Sequence, residues 1–575
     1  MSHVDDLKKA QELQDLLVGH SSECFVEACP GAGKTQTLVR RVSKRLSELA
    51  PRHGIAVLSF TNSAVDEFTE RYALQSGVNA LSYPSFVGTF DAFLNQFVVQ
   101  PFGIPGCGHR PTIVDAWDLE VRLGKAGVRA APMSMKDFHP IDFTTYPSRT
   151  KRLSSEQREH LTRYEANARR ISDALRRKGM IASAVARTIV LDLLANKVKA
   201  SALGAAITAR FSEIIVDEAQ DCNDDDVRIL EWLRSHGAQL VLVCDPDQAI
   251  YEFRNGAAKS FRAFTENFPK LALEGNFRSS RVICEAAASM RQRSAVDLVV
   301  GAHRESPHKI QILTFNNSVS SKTAVSSTFM SLVRAADGVD PDDAIVLAHK
   351  RNLAFRISGN LSDKAFRSGS RVLRLYDAAF QYSTSTAPRQ QQAAVNACIQ
   401  LLMEFQGFSS DDIASLRPLS NDIVLRRSLY RRSVETLDAL SAALPAGETG
   451  WDTWLEVARG TLSRIIKGGS GTKLLPAKAD WAAKLQMPKA QETLSFATVH
   501  EAKGRAYDAV CLAIDNESGV LSDWALRSSA TSEALRVLYV GLTRARKLAV
   551  LAIHRDDEAT LRALLPSVEA ESHSI

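Results

Sequence analysis

Ala28-Cys29-Pro30-Gly31-Ala32-Gly33-Lys34-Thr35 is the stretch on which the reading of this chain turns. The apolar run Cys24-Phe25-Val26 leads into it, and a helical pattern from Gly33 towards Leu49 follows. A strand, a glycine-rich loop and a helix in that order form the context of a P-loop. There, backbone N–H groups at a helix N-terminus cradle phosphates, a lysine reaches the terminal ones and a hydroxyl holds Mg²⁺. Lys34 and Thr35 fill the last two roles, and Ala28, Pro30, Gly31, Ala32, Gly33 and Gln36 complete the expected nucleotide cradle. Ala28 stands where the strict pattern has its first glycine. The competing reading is a glycine turn that happens to precede Lys-Thr, and the rest of the chain decides against it.

Working outward, Gln14 lies in an amphipathic stretch upstream, where its amide offers one donor and one acceptor to an adenine edge. Downstream, Ile55 to Phe60 has the continuous apolar character of a buried parallel strand, followed by Thr61-Asn62 and a helix carrying Glu67 and Arg71. Another short element ends in Gly88-Thr89-Phe90-Asp91. Strands alternating with helices at this spacing predict an α/β domain with a parallel sheet. The rhythm breaks over residues 102–210, where long polar helices are expected. Arg152, Arg158, Arg163, Arg169, Arg170, Arg176 and Arg177 there read as a solvated face, or as a surface for a phosphodiester backbone.

The pattern resumes at Ile214-Ile215-Val216-Asp217-Glu218-Ala219-Gln220-Asp221. An apolar strand here delivers adjacent carboxylates at its C-terminal end, where ligands sit in such folds. Asp217 is placed to hold Mg²⁺ through water, and Glu218 to orient or deprotonate an attacking water. Leu240 to Cys244 predicts a second such strand, ending at Asp245-Pro246-Asp247-Gln248, with Tyr251 and Phe253 just beyond. A further α/β unit follows Asn276-Phe277-Arg278-Ser279, with strands over 309–314 and 344–348. Residues 352–490 interrupt it with mostly helical sequence, including the basic cluster Arg426, Arg427, Arg431 and Arg432 and joints at 444–450 and 467–472. The unit closes with Thr498-Val499-His500-Glu501-Ala502-Lys503-Gly504 and Tyr539 to Arg546.

Taken in order, these segments resemble the UvrD/Rep/PcrA branch of superfamily 1 helicases. The resemblance implies an α/β fold of two RecA-like P-loop motor domains with parallel sheets, each carrying a mostly helical insert. The first motor would occupy residues 1–101 and 211–272 around an insert at 102–210. The second would occupy 273–351 and 491–555 around an insert at 352–490, with 556–575 a polar C-terminal tail expected to fray. By the same resemblance, Lys34, Glu218, Gln248, Arg278 and Arg544 form the catalytic set, the two arginines reaching ATP from the second motor. Gln14, Arg41 and Phe277 would surround the adenine, and Thr35 and Asp217 would hold Mg²⁺. Phe60, Thr61, Asn62, Thr89, Phe90, Tyr251, Phe253, Thr498 and His500 would line the DNA path.

The implied activity is ATP-driven 3′-to-5′ movement on single-stranded DNA, or on a duplex with a single-stranded tail, in repair or antiviral defence. The alternative it leaves open is an ATPase subunit that senses nucleotides and DNA ends and regulates a partner nuclease. Two departures stand out: Asp91 replaces a histidine of the family and would repel a phosphate, and Ala506 replaces a nucleotide-binding glutamate.

Composition is compatible with all of this. The 575 residues are 45% hydrophobic and 24% charged, enough for several packed cores. A net charge of +6 permits a polyanionic partner. The eight cysteines are scattered with no Cys-x-x-Cys pair, which argues against a zinc or iron–sulfur site. Without a basic-then-apolar leader or a bilayer-length apolar run, the expectation is a cytoplasmic protein with no membrane partner.

Overall fold

The computed structural model describes residues 3–78, 80–113, 119–123, 131–139, 141–150, 153–182, 185–248, 258–291, 296–359, 371–384, 388–408, 423–444, 451–466, 473, 475, 494–528, 532–565 and 570–574. Two compact units emerge, Met1–Gly359 with Thr493–Ile575, and Asn360–Glu492.

The larger unit contains two six-stranded sheets. The first is built from β1 (Cys24–Ala28), β2 (Gly54–Ser59), β3 (Phe86–Thr89), β4 (Phe211–Val216), β5 (Gln239–Cys244) and β6 (Lys270–Leu273), in the spatial order β6-β1-β5-β4-β2-β3. The second uses β7 (Ile310–Phe315), β8 (Ala344–Ala348), β9 (Phe496–Thr498), β10 (Tyr507–Ala513), β11 (Ala545–His554) and β12 (Ala570–Ser574), in the order β9-β8-β10-β11-β7-β12. Every pairing in both sheets is parallel. The helices that matter for the site are α1 (His3–Gly19), α2 (Lys34–Glu48), α3 (Asn62–Ser76), α4 (Ala186–Leu194), α5 (Asp224–Ser235), α6 (Arg281–Met290) and α7 (Glu533–Leu542).

Apolar residues alternate between the two faces of each central strand, as the two-residue side-chain period requires. In β5, Leu240, Leu242 and Cys244 join one core while Val241 and Val243 join the core on the opposite face. In β11, Ala549, Leu551 and Ile553 face one way, and Leu548, Val550 and Ala552 the other. The first insert buries Ile189, Val190, Leu193, Leu203 and Ile207 in the core of the first sheet. A satellite core forms around Val121, Met133, Met135, Phe138 and Tyr164. Of its arginines, Arg169 lies over the Phe143 ring at 5.6 Å and Arg176 pairs with Asp192 at 3.6 Å.

The chain end departs from the expected frayed tail. Residues 570–574 form the edge strand β12 beside β7, in a register that sets Ile310 opposite Ala570. Pairing satisfies the backbone groups that β7 would otherwise leave open on that side. A contact of 2.7 Å between His573 Nε2 and Gln311 Oε1 adds a side-chain link that no local pattern announces.

The smaller unit is helical where described. Helices Arg371–Thr384, Pro388–Phe405, Ile423–Ser441 and Trp451–Ile465 surround Leu375, Leu402, Leu437 and Trp454. Of the expected joints at 444–450 and 467–472, all residues but Leu444 lie outside the described residues.

Candidate functional site

The first sheet aims three loops at one place. Strands β1, β4 and β5 are neighbours, and in a parallel arrangement their C-terminal ends share an edge. The loop after β1 is the glycine loop. Gly33 adopts φ 72° and ψ 28°, and α2 starts at Lys34 with no side-chain cap, which leaves its first N–H groups to a ligand. Gln14 from α1 donates through Nε2 to the Ala32 carbonyl at 3.0 Å and covers Gly33. Gly31 has φ 72°, and a Cβ there would stand 2.6 Å from both Arg278 Cβ and Asn276 Oδ1. Glycine is required at both positions, for conformation and for room. The Phe277 N–H donates to the Gly31 carbonyl at 2.8 Å, which fixes the Asn276-Phe277-Arg278 segment on the loop.

The loop after β4 carries the carboxylates. Glu218 occupies the left-handed region at φ 56° and ψ 39°, a conformation that costs a non-glycine residue about 1–2 kcal/mol. Its carboxylate is held on both oxygens. Lys34 Nζ lies 3.1 Å from Oε1, while Lys503 Nζ at 3.4 Å and Gln220 Nε2 at 2.6 Å engage Oε2. Burial opposes its ionisation, yet the Lys34 and Lys503 charges hold it well below the usual carboxylate range. Burial likewise opposes the charge on Lys34, and Glu218 raises the ammonium's pKa in spite of it. Asp217 shifts the opposite way, upward, through burial and the neighbouring Glu218 charge. At the end of β5, Gln220 Oε1 accepts from the Asp245 N–H at 3.0 Å and ties the two loops together.

The second sheet supplies cations to the same cleft. Arg544, 2% exposed, donates through Nε to the Val540 carbonyl at 3.1 Å and through NH2 to Gln248 Oε1 at 2.8 Å. Arg278 donates through NH1 to the Thr543 carbonyl at 3.1 Å. Burial and the adjacent Arg544 charge push Arg278 down to about 9. A buried Arg544 beside a half-buried Arg278 whose charge it disfavours, facing a helix N-terminus and a lysine, calls for a polyanion.

These groups line a cavity of about 1010 Å³. Gln14, Pro30, Gly31, Ala32, Gly33, Lys34, Thr35, Gln36, Glu218, Gln248, Phe277, Arg278 and Arg544 all reach it, together with Arg71, His303 and Ala506. Its donor set and the glycine cradle fit a nucleoside triphosphate. Among the described residues no group of three His, Cys, Asp or Glu side chains could hold a metal ion alone. Thr35 lines the cavity, whereas Asp217 is buried behind it and does not, its Oδ1 accepting from the Glu218 N–H at 3.0 Å; together they would supply at most two ligands to Mg²⁺, leaving the remainder to phosphate and water.

Several expected residues do other work. Ala28 is buried at the end of β1 and does not line the cavity. Arg41 is fully buried and donates through Nε and NH2 to Glu213 Oε1 and Oε2 at 2.9 and 2.8 Å, and through NH1 to the Leu17 and His20 carbonyls at 2.6 and 2.7 Å. Its guanidinium therefore holds the end of α1 instead of touching a base. Phe60 and Phe90 are 8% and 1% exposed and stack on each other at 5.6 Å inside the first core. Both apolar rings are better buried there than left for DNA.

The Thr61 and Thr89 hydroxyls accept from the Ala64 and Ala92 N–H groups and cap the helices that follow. Asn62 is exposed at the start of α3. Thr498 shares hydrogen bonds with Glu501, and the His500 ring lies 5.7 Å from that of His349. Tyr251 and Phe253 lie outside the described residues. Asp91 is not left to repel a phosphate, because Arg187 of α4 pairs with both Asp91 and Asp226.

Sequence reasoning missed Lys503 and Asp221 as members of the site, although both stood inside quoted motifs. A buried lysine 2.7 Å from a buried carboxylate 282 positions away leaves no local signal.

Comparisons with known proteins fit this geometry. The model of the UvrD/REP helicase N-terminal domain matches residues 9–269, and that of the UvrD-like helicase C-terminal domain matches residues 481–556. DNA helicase II of Escherichia coli (strain K12) is 25% identical over 299 residues, a stretch covering 50% of this chain and 40% of that protein. Gabija protein GajB of Bacillus cereus (strain VD045) is 22% identical over 366 residues, 61% of this chain and 62% of that protein. The putative ATP-dependent DNA helicase YjcD of Bacillus subtilis (strain 168) is 22% identical over 610 residues, 95% of this chain and 78% of that protein. The chain thus spans less than two thirds of the length of the first two.

Proposed function

Because the chain belongs to the UvrD-like helicase family, we propose that it hydrolyses ATP and uses the energy to move 3′ to 5′ along single-stranded DNA. Its two sheets serve as RecA-like motor domains in this reading. The observation that carries it is the contact of 2.8 Å between Gln248 on the first sheet and Arg544 on the second, inside the cavity that holds Lys34 and Glu218. Guanidiniums that stabilise the transferring phosphoryl group then come from one sheet, and the loop that holds the triphosphate comes from the other. Opening the cleft removes Arg544 from Gln248, so turnover is tied to relative movement of the sheets.

In the chemistry, Lys34 and the α2 N-terminus bind the phosphates, Gln14 and Phe277 enclose the base, and Glu218 orients and deprotonates the attacking water. Mg²⁺ neutralises phosphate charge when bound, and Thr35 and Asp217 would hold it. Lys34 leaves Glu218 when phosphates arrive, since a polyphosphate offers the ammonium more negative charge than one carboxylate.

A second reading is favoured by one observation. Phe60 and Phe90, two aromatics expected to stack on DNA bases, are packed into the core. Their burial supports an ATPase subunit that governs a partner nuclease and unwinds little. The two readings separate in an assay of ATP turnover and strand release on duplexes with 3′ or 5′ single-stranded tails. DNA-stimulated turnover with release only from 3′ tails is expected. Stimulation without release selects the regulatory reading, and release from 5′ tails refutes the stated polarity.

A further inference from the structure

Lys503 follows β9 on the second sheet, is 5% exposed, and does not line the nucleotide cavity. Its single ammonium reaches three groups on the loops of the first sheet. Nζ donates to Asp221 Oδ2 at 2.7 Å and to the Gln248 carbonyl at 3.3 Å, and lies 3.4 Å from Glu218 Oε2. A lysine has three N–H donors, and these contacts can take all of them. Asp221 is itself 4% exposed, so the ammonium sits among buried partners in a place where charge-assisted contacts are strong.

We propose that Lys503 is a positioning residue for hydrolysis, holding Glu218 and the Gln248 loop in their working orientation from the opposite sheet. The proposal rests on the ATPase reading above. When Lys34 turns to the phosphates, Glu218 loses its partner on Oε1. Lys503 and Gln220 still hold Oε2, and Oε1 remains aimed into the cavity to accept from a water. Without Lys503 the carboxylate, already in a left-handed backbone conformation, can swing about its remaining contact with Gln220. Because the ammonium comes from the second sheet, separation of the sheets releases Glu218, Asp221 and the Gln248 carbonyl together. The base is therefore correctly placed only while the cleft is closed. Gln248 is held the same way, by Lys503 on its carbonyl and Arg544 on its side chain.

The test is steady-state ATP turnover on single-stranded DNA by the full chain and by Lys503→Met, Lys503→Arg and Asp221→Asn. Loss of a buried charge-assisted contact predicts a fall in kcat of about 10- to 100-fold for Lys503→Met. The KM for ATP should stay within about threefold, since binding is left to other residues. Lys503→Arg should recover most of the loss, and Asp221→Asn should lower kcat without raising KM. Unchanged kcat in Lys503→Met, or a raised KM with kcat intact, overturns the proposal. If Lys503→Met does not fold, Asp221→Asn decides alone, and wild-type kcat in that variant refutes the role. Absence of turnover in the wild-type chain would overturn the ATPase reading itself, an outcome distinct from these.

Discussion

Replacing Arg41 by methionine removes the cation from a fully buried pair and keeps much of its volume. Arg41 makes four hydrogen bonds, two to the Glu213 carboxylate and two to the carbonyls of Leu17 and His20. Glu213 is 1% exposed, and its remaining cation is Arg45, with Nε 3.5 Å away. Breaking one side of a buried pair costs about 3–5 kcal/mol, because the other charge stays buried. The Arg45 contact offsets part of this, so about 3 kcal/mol is expected. With an m of about 3 kcal/mol/M, the urea midpoint should fall by about 1 M. The double variant Arg41→Met with Glu213→Leu should regain most of that loss, since two apolar groups replace two charges. ATP affinity should weaken modestly in the single variant, because α1 carries Gln14 onto the glycine loop. Urea unfolding followed by circular dichroism measures the first two effects. A wild-type midpoint in the single variant, or no recovery in the double one, would refute the reasoning.

Two further outcomes rest on buried charges of the first sheet. Asp245 is fully buried, and desolvation raises its carboxyl from 3.8 to about 7, with nearby Asp247 and Glu218 adding to the rise against the pull of Lys34. The folded chain then binds more protons than the unfolded one between those values, so this contribution to stability declines as pH rises from about 4 to 7. Asp245→Asn should flatten that slope in thermal melts, and an unchanged slope would count against it. Arg187→Ala should destabilise the chain by about 3 kcal/mol by leaving Asp226 buried without its guanidinium partner, and Asp226→Asn in the same chain should restore part of the loss. Urea midpoints of the three variants check this.

What could be read in the sequence was what is encoded locally. The glycine loop, the Asp217-Glu218 pair and Asn276-Phe277-Arg278 are short motifs whose spacing matches strand ends, and the structure gathers most of them around one cavity. Central strands were visible because burial on both faces demands unbroken apolar runs. Long-range partnerships were not visible. Arg41 looks like any helix arginine until Glu213 arrives from β4, 172 positions later. Phe60 and Phe90 carry the same rings whether they stack on a base or on each other, and only the packed core decides. The edge strand at 570–574 has a polar sequence typical of a loose end, and pairing with β7 gives it structure.

In the proposed function the second sheet completes an ATP site begun by the first. Turnover by Arg544→Ala, measured beside equilibrium binding of ATP, tests it most directly. A guanidinium acting on the transferring phosphoryl group predicts a loss of about 10³-fold or more in kcat, with ATP still bound. Wild-type kcat in Arg544→Ala would contradict the shared site.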